Sequence, residues 1–198
     1  LVCDLVGGTF DITLILVDVG SIKVIPTGGD HHLGGVDWDT ALAEYMLGAF
    51  NEQNGTSYSL DDNKMLKYQL LNLAETKKKL LTAKTKVNVN INWEGQSARF
   101  EITRELFDAL TADKLNETID ATRKILDIAK EKGFEKIDEY ILVGGSSRMP
   151  QIKERVDAEF GVDAKLTDPD ECVAKGAAIY AMNEAYRQAV EDYENGDA

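Results

Sequence analysis

The residues best suited to chemistry near the start of the chain form the segment DLVGGTFD, which begins at Asp4. Gly7 and Gly8 can adopt backbone angles that other residues avoid, and an anion such as a phosphate can approach their N–H groups closely. Asp4 and Asp11 place carboxylates on both sides of this turn, where they suit a water-shelled Mg²⁺ ion, and Thr9 adds a hydroxyl. On this motif alone, a hairpin that binds nothing is the commoner interpretation.

A second candidate is the segment VGGSSRMP at residues 143–150, where a predicted strand opens into a helix. Backbone N–H groups at such a junction, with the helix dipole behind them, favour an anion or the polar edge of a ligand. A tight strand-to-helix turn without a ligand explains the same glycines, so both interpretations stay open.

A third candidate lies on the long helix predicted at residues 61–82. At about 100° per residue, one side of this helix collects the leucines Leu66, Leu70, Leu73, Leu80 and Leu81. The opposite side collects an acid, two bases and a hydroxyl, namely Glu75, Lys78, Lys79 and Thr82. A charged helix face is usually only solvated, but this combination is also able to bind a purine nucleoside.

Histidine and cysteine chemistry is not supported by the sequence. His31 and His32 are the only histidines and no cysteine lies beside them, so neither a metal centre nor a Ser-His-Asp arrangement is expected. Cys3 and Cys172 have unrelated surroundings, and we expect two small buried hydrophobic residues rather than a disulfide. This use of cysteine indicates a reducing, cytoplasmic location.

Composition excludes several classes of protein. The chain has 198 residues, 22 basic and 35 acidic, and its formal net charge of −13 argues against nucleic-acid binding. With 43% hydrophobic residues and no apolar run near the ~20 residues that span a bilayer, neither a disordered chain nor a membrane protein is expected. Because the chain begins at Leu1, without a methionine and in a segment predicted to be a strand, we expect it to be a piece of a longer protein.

The elements that must position these residues follow from periodicity and turn signals. Three strands are predicted near the start, at residues 1–5, 10–19 and 22–26. Gly20 and Ser21 form a hairpin turn, and the glycines within residues 28–35 indicate a loop. A helix follows with Asp37 as its N-cap, and then a polar loop at residues 51–59.

The rest of the chain predicts a hairpin, helices and two short strands after the long helix. The predicted bounds are 84–93 and 97–102 for the hairpin, 104–130 for two helices, 140–143 for a strand, 150–160 for a helix, 164–166 for a strand, and a last helix through Tyr180 and beyond. This order predicts an α/β fold in which residues 1–50 and 133–190 form the core. Residues 51–132 are expected to form an inserted helix-hairpin-helix subdomain, and residues 191–198 a frayed acidic tail.

Five segments of the chain resemble those of a known family, in the same order. They are DLVGGTFD at 4–11, GDHHLGGVDWD at 29–39, AETKKKL at 74–80, ILVGGSSRMP at 141–150 and DPDECVAKGAA at 168–178. Together they closely resemble the ATPase domain of the DnaK-type heat-shock chaperones, the seventy-kilodalton class of the actin-like superfamily. The resemblance implies a ribonuclease-H-like, actin-like ATPase core with an inserted subdomain, and it corresponds to the second lobe of a two-lobed domain.

The resemblance also implies roles for the candidate residues. Asp4 and Asp11 would hold Mg²⁺ through waters, and Thr9 would face the terminal phosphate of ATP. The other positions implied to contact ATP or ADP are Gly7 and Gly8 at the phosphates, Gly34 and Gly35 at the interlobe cleft, Glu75, Lys78, Lys79 and Thr82 around the adenosine, Gly144, Gly145, Ser146 and Arg148 on the other side of the base, and Asp170 at the rim.

Two positions depart from the family pattern. Val6 stands where the family has the first glycine of the phosphate loop, and its branched side chain would crowd the phosphates if it faced them. Lys79 stands where the family commonly has an arginine that stacks on adenine, and lysine lacks the planar guanidinium. We therefore expect weakened nucleotide binding.

For the longer protein, the resemblance implies a molecular chaperone in which ATP binding and hydrolysis drive the folding of client proteins. Its expected partners are a first lobe, a peptide-binding domain, a J-domain co-chaperone, a nucleotide-exchange factor and unfolded clients, with no nucleic acid and no membrane. The first lobe would supply a further phosphate loop and a lysine, so this chain alone is expected to hydrolyse ATP poorly. The alternatives are a nucleotide-sensing pseudo-ATPase, favoured by Val6, and a filament-forming actin-like protein.

Overall fold

The structure, a computed structural model, describes residues 1–19 and 21–195. The strands are β1 (Val2–Leu5), β2 (Phe10–Asp18), β3 (Ser21–Asp30), β4 (Lys86–Trp93), β5 (Gln96–Thr103), β6 (Ile141–Val143) and β7 (Lys165–Leu166). The helices are α1 (Gly35–Asn54), α2 (Lys64–Ala83), α3 (Arg104–Leu110), α4 (Ala112–Glu131), α5 (Pro150–Phe160) and α6 (Cys172–Asn195). A 3₁₀ turn, Gly145–Arg148, lies between β6 and α5.

Five of the strands form one mixed sheet in the order β3-β2-β1-β6-β7. β1 runs antiparallel to β2 and parallel to β6, so the carboxyl ends of β1 and β6 lie at the same edge of the sheet. Leu5 pairs with Phe10, which leaves residues 6–9 as the turn between β1 and β2 at that edge. This mixed α/β arrangement is consistent with the actin-like class expected from the sequence.

The strands β4 and β5 form a separate two-stranded antiparallel sheet. Every second residue of β4 (Val87, Val89 and Ile91) is buried, as the alternating sequence predicts. This sheet packs against α1 and α2, so the hairpin supports the position of α2.

The helix α1 lies in the centre of the apolar core. Its largest completely buried side chains are Trp38, Leu42, Met46 and Phe50. The N-cap is Gly34, and Asp37, which was predicted as the cap, is the third residue of the helix. The Asp37 carboxylate accepts a hydrogen bond of 2.8 Å from the Gly34 N–H, so it satisfies a free backbone donor, and the N-cap lies three residues earlier than predicted.

Other element bounds also differ from the prediction. β3 continues through the glycines that were assigned to a loop, because residues 28–30 pair with residues 10–12 of β2. α1 continues through part of the predicted polar loop to Asn54 and ends at Gly55, whose φ of 64° is left-handed. Pairing with β2 decides the first of these bounds, and the left-handed glycine cap decides the second.

At the carboxyl end, α6 continues to Asn195, through residues expected to belong to a frayed tail. No residue of 172–195 is buried, although several are large and apolar, including Ile179, Tyr180, Met182, Tyr186 and Tyr193. The predicted turn residue Gly20 and the last three residues of the predicted tail lie outside the described residues. Within the described residues, no helix combines the length and apolarity that crossing a membrane requires.

The two faces predicted for α2 are partly wrong. Its buried residues are Leu66, Leu70, Ala74, Lys78 and Leu81. The first four are spaced four residues apart and form one stripe, so Lys78 lies on the buried side rather than the polar side. Leu80, predicted on the apolar side, is 38% exposed. A buried lysine requires a compensating partner, which the sequence pattern does not identify.

The cysteines also differ from one another. Cys3 is buried in β1, as expected, whereas Cys172 is only partly buried at the start of α6. Both thiols are free. Burial raises the pKa of the Cys3 thiol to about 12, so it remains protonated and unreactive at neutral pH.

Candidate functional site

A cleft of about 660 Å³ brings together three segments that are distant in sequence. They are the turn after β1 with the start of α1, the last two turns of α2, and the 3₁₀ turn with the residues before α6. The predicted site residues that line it are Gly7, Gly35, Glu75, Lys78, Lys79, Thr82, Gly145, Ser146, Arg148 and Asp170. Asp4, Gly8, Thr9, Asp11, Gly34 and Gly144 lie around the glycine turn but do not line the cleft.

The glycine turn forms one end of the cleft. The Val6 N–H donates to the Thr9 carbonyl at 3.1 Å, which closes the turn between β1 and β2. A Cβ atom added at Gly7 or Gly8 would have no neighbour within 4 Å, so open space adjoins both residues. This space lets a ligand approach the backbone of the turn, and backbone N–H groups in such a turn suit an anion.

The turn is fixed against the start of α1. The N–H groups of Gly35 and Val36 donate to the carbonyls of Val6 and Gly7, each at 2.8 Å. A Cβ atom at Gly34 would lie 2.6 Å from the Gly7 oxygen and 2.6 Å from the Gly8 Cα, so only glycine permits this close approach. The pair Gly34-Gly35 therefore sets the position of the glycine turn.

Asp4 and Asp11 are directly opposite each other on β1 and β2. The Asp4 Oδ1 atom is buried and has no hydrogen-bond partner in the described part of the chain, whereas Asp11 Oδ2 accepts from the Thr9 hydroxyl at 2.9 Å. Burial and the neighbouring Asp11 charge raise the pKa of the Asp4 carboxyl. An unpartnered carboxylate oxygen beside a second carboxylate is an arrangement that a divalent cation would satisfy.

Asp4 and Asp11 suit a Mg²⁺ ion that keeps part of its water shell better than they suit a cation whose ligands are all protein atoms. Residues 1–19 and 21–195 contain no group of three or more His, Cys, Asp or Glu side chains arranged around a metal. Mg²⁺ characteristically keeps several waters and needs only one or two carboxylates. Gly144, with a φ of 83°, packs so closely behind Asp4 that a Cβ atom there would lie 2.5 Å from Asp4 Oδ1.

A buried ion pair joins α2 to α1 beside the cleft. The Lys78 Nζ atom donates to Asp39 Oδ2 at 2.8 Å and to the Gly35 carbonyl at 2.7 Å. Both side chains are more than nine-tenths buried, and Asp39 Oδ1 has no partner among the described residues. Burial raises the pKa of the Asp39 carboxyl, and the ion pair with Lys78 opposes that effect.

Asp39 is the main functional candidate that the sequence analysis missed. It lies within the segment used for the family resemblance, yet no local pattern distinguishes it from other acidic helix residues. The signal that identifies it is indirect, because Lys78 falls on the buried stripe of α2 and therefore needs an acidic partner from another element.

An exposed ion pair lies beside Lys78 on the same helix. The Lys79 Nζ atom donates to Glu75 Oε1 at 2.6 Å. This contact raises the pKa of Lys79 and lowers the pKa of Glu75. The Thr82 hydroxyl donates to the Lys79 carbonyl at 2.6 Å. Of the four residues predicted on the polar face of α2, only Lys78 is buried.

The 3₁₀ turn forms the opposite wall. The Ser146 hydroxyl donates to the Val6 carbonyl at 3.2 Å, and the Gly144 N–H donates to the Pro169 carbonyl at 3.1 Å. The Arg148 guanidinium forms an ion pair with Asp170 at the rim of the cleft. These contacts tie the wall both to the glycine turn and to the segment that leads into α6.

The chain matches known proteins over nearly its whole length. A family model described as Hsp70 protein matches residues 1–193. The chain is also 42% identical over 181 residues to the Chaperone protein HscA homolog of Variovorax paradoxus (strain S110), an alignment that covers 91% of this chain. It spans only 28% of the length of that relative. Because the family model covers far more than half of its residues, this chain belongs to the Hsp70 family.

Proposed function

We propose that this chain is the adenine-nucleotide-binding second lobe of the ATPase domain of a DnaK-type chaperone. The observation that supports this best is the single cleft lined by the glycine turn, the end of α2 and the 3₁₀ turn. An open glycine turn at one end and a balanced polar patch at the other match the two chemical ends of a nucleotide.

The charges along the cleft favour a nucleoside at the α2 end. Each Lys and Arg that lines the cleft is paired with a carboxylate, in the pairs Lys78–Asp39, Lys79–Glu75 and Arg148–Asp170. A neutral base and sugar meet hydrogen-bonding groups and a planar guanidinium there without a large excess of either charge. The phosphates would then extend toward the backbone N–H groups of Gly7 and Gly8.

The phosphate end needs a cation, because its nearby side chains are acidic. Asp4 and Asp11 would hold Mg²⁺ through its waters. When bound, the ion would neutralise phosphate charge at the turn. The Thr9 hydroxyl, already hydrogen bonded to Asp11, is positioned by the same pair of strands.

We propose that the chain alone hydrolyses ATP slowly or not at all. Phosphoryl transfer depends on concentrated positive charge and on positioning of the attacking water. Each of the three cations lining the cleft is already paired with a carboxylate, so none contributes an uncompensated positive charge to a transferring phosphate. A preceding first lobe would supply the missing groups in the longer protein.

In that longer protein, nucleotide binding would drive chaperone action on client proteins. The family match and the name of the 42% identical relative, a chaperone protein HscA homolog, support this role. We propose the first lobe and a peptide-binding domain as partners within the longer chain, and a J-domain co-chaperone and an exchange factor as separate partners. We also propose a cytoplasmic location. We further propose that the core is discontinuous, with residues 51–132 forming a subdomain inserted into it.

Calorimetric titration of the chain with MgADP tests the proposed binding. We expect saturable binding that is stronger for ADP than for CDP, and an Arg148→Ala loss of about tenfold, because the cleft then lacks its planar cation. Arg187→Ala is the matched control, since Arg187 also pairs with an exposed carboxylate, Glu184, but lies on α6 outside the cleft. Equal affinity for ADP and CDP, or no binding at millimolar nucleotide, would reject the proposed function.

A nucleotide-sensing pseudo-ATPase is the second candidate, because Val6 lines the cleft beside the glycine turn. Single-turnover hydrolysis by the full-length protein separates the two candidates. Conversion of bound ATP to ADP supports the ATPase, whereas bound ATP that remains intact over the same period supports the sensor.

A further inference from the structure

A continuous chain of hydrogen bonds crosses one side of the cleft and joins all three of its walls. It begins at Asp39 Oδ2, which accepts from Lys78 Nζ at 2.8 Å, and the same Nζ atom donates to the Gly35 carbonyl at 2.7 Å. The Gly35 N–H donates to the Val6 carbonyl at 2.8 Å, which also accepts from the Ser146 hydroxyl at 3.2 Å. The buried ion pair is therefore connected to the glycine turn through a single residue.

Gly35 occupies the crowded centre of this arrangement. A Cβ atom there would lie 3.1 Å from Lys78 Nζ and would clash with the Ser146 hydroxyl. The ammonium group, the backbone of Gly35 and the 3₁₀ turn thus approach one another as closely as the absence of a side chain permits. A change in the direction of the Lys78 side chain would therefore displace Gly35 and the 3₁₀ turn.

The packing of α1 against α2 does not by itself require the Lys78–Asp39 ion pair. α1 and α2 already pack against each other, and a buried ion pair usually adds little net stability compared with apolar residues of similar size. Removing only the acid, by contrast, leaves a buried ammonium with one carbonyl as its partner. The pair is better explained as a device that fixes the direction of the Lys78 side chain.

We infer that Asp39 is a positioning residue for the cleft, acting through Lys78. An ammonium group has three N–H donors, and Asp39 and Gly35 accept two of them. Because Lys78 lines the cleft, one donor remains for an oxygen acceptor of the bound ligand. This inference rests on the proposed nucleotide binding, and it adds that Asp39 sets the direction of that donor and stabilises the link from Gly35 to the glycine turn.

A double-mutant cycle with Asp39→Asn and Lys78→Met tests this role in the 198-residue chain. We expect each single substitution to weaken MgADP binding by about tenfold or more, and the double variant to bind no more weakly than Lys78→Met alone. Independent losses that multiply in the double variant would overturn the inference, because Asp39 would then act by a route other than Lys78. Asp61→Asn is the matched control, since it breaks an exposed ion pair with Lys67 of the same helix, outside the cleft.

Amide NMR shifts provide a readout that needs no nucleotide. In ligand-free Asp39→Asn, we expect the amide resonances of Gly35, Val6 and Ser146 to shift relative to those of the wild type. In the control variant Asp61→Asn, we expect the resonances of the same three residues to be unchanged. Unchanged resonances at all three residues would overturn the inference even if nucleotide binding fell. Movement of these resonances in a protein that fails to bind MgADP would keep the positioning role and reject only the proposed nucleotide function.

If Asp39→Asn does not fold, the comparison of Lys78→Met with the double variant still decides the question. Lys78→Met leaves the Asp39 carboxyl without its cation, but burial favours the neutral, protonated form of that carboxyl. The double variant contains neither charged partner, so both proteins are expected to fold. Equal MgADP affinity supports the inference, and a double variant weaker by about tenfold contradicts it.

Discussion

The Lys79 Nζ atom lies 2.6 Å from Glu75 Oε1, one turn earlier on α2 at the mouth of the cleft. The Lys79 side chain is 70% exposed, so this pair contributes little to the stability of the fold. The pair instead matters because both of its residues line the cleft in which the ligand would bind. At this wall the cleft presents a point charge already paired with a carboxylate, not a planar cation, and the weakened nucleotide binding expected from the sequence stays a prediction.

Lys79→Arg is expected to strengthen binding of a fluorescently labelled ATP analogue by several-fold, up to about tenfold, because a guanidinium can stack on adenine. Titration of the analogue measures the effect. Lys77→Arg is the control, since Lys77 lies on the same helix but outside the cleft. An affinity unchanged by Lys79→Arg would show that stacking at this wall is not what limits binding.

Val6→Gly is expected to strengthen ATP binding, because Val6 is 37% exposed and lines the cleft next to the open glycine turn, and glycine lacks its branched side chain. We expect a gain of about three- to tenfold for ATP and no gain for AMP, which does not reach the turn with a terminal phosphate. Competition against a labelled analogue compares the two nucleotides. Equal gains for ATP and AMP would place the effect at the nucleoside end and contradict this assignment.

Asp4→Asn tests the cation assigned to the acidic pair. Removing one of two carboxylates should reduce the Mg²⁺-dependent gain in ADP affinity by about tenfold, while binding in EDTA should change little. Calorimetry with and without Mg²⁺ separates the Mg²⁺-dependent gain in ADP affinity from the affinity for ADP alone. Asp18→Asn, at the far end of β2, provides the control. A loss of equal size in EDTA would show that Asp4 acts on the fold or the nucleotide rather than through a cation.

Local pattern predicted much of the fold. The alternation of Val87, Val89 and Ile91 predicts β4, and Thr103 caps α3 through a bond from the Leu106 N–H, as its sequence position suggests. Pro150 begins α5, where a first helical turn tolerates proline. These features succeed because the interactions that decide them lie within a few residues of each other.

The failures occur where distant residues decide the outcome. The ion pair of Lys78 with Asp39 joins residues that are 39 positions apart, so no helical period reveals it. The start of α1 at Gly34 depends on the glycine turn packed against it, and the end of β3 depends on its pairing with β2. Residue patterns alone indicate the glycine turn, residues 143–150 and the polar face of α2 as candidates, and the family resemblance adds Gly34, Gly35 and Asp170. The partners of these residues could be seen only once the chain was folded.

Asp108→Asn is expected to stabilise the chain at neutral pH. Burial, together with the neighbouring charge of Glu154, raises the pKa of the Asp108 carboxyl, which accepts from Gln151 Nε2 at 2.9 Å. The folded chain therefore keeps a proton at pH values where the unfolded chain has lost it, so stability falls as the pH rises through the folded pKa. An asparagine keeps the acceptor and never ionises.

Urea unfolding between pH 3 and pH 7 measures this difference. Wild type and Asp108→Asn should be nearly equal at the acidic end, and the variant should become progressively more stable than wild type toward neutral pH. Asp62→Asn, at an exposed position before α2, should show no such divergence. A gap that is constant across the pH range would show that ionisation of Asp108 is not its source.

Gly34→Ala and Gly48→Ala should change stability in opposite directions, although both glycines belong to the start or interior of α1. A Cβ atom at Gly34 would lie 2.6 Å from backbone atoms of the glycine turn, which cannot move aside as a flexible side chain would. We expect a loss of about 1–3 kcal/mol in the free energy of unfolding, with weaker nucleotide binding because the turn must shift. A Cβ atom at Gly48 would have no neighbour within 4 Å, so alanine there should add about 0.5–1 kcal/mol through its higher helix propensity. Thermal unfolding of the two variants measures both effects, and a Gly34→Ala protein as stable as wild type would mean that the turn does not depend on this close approach.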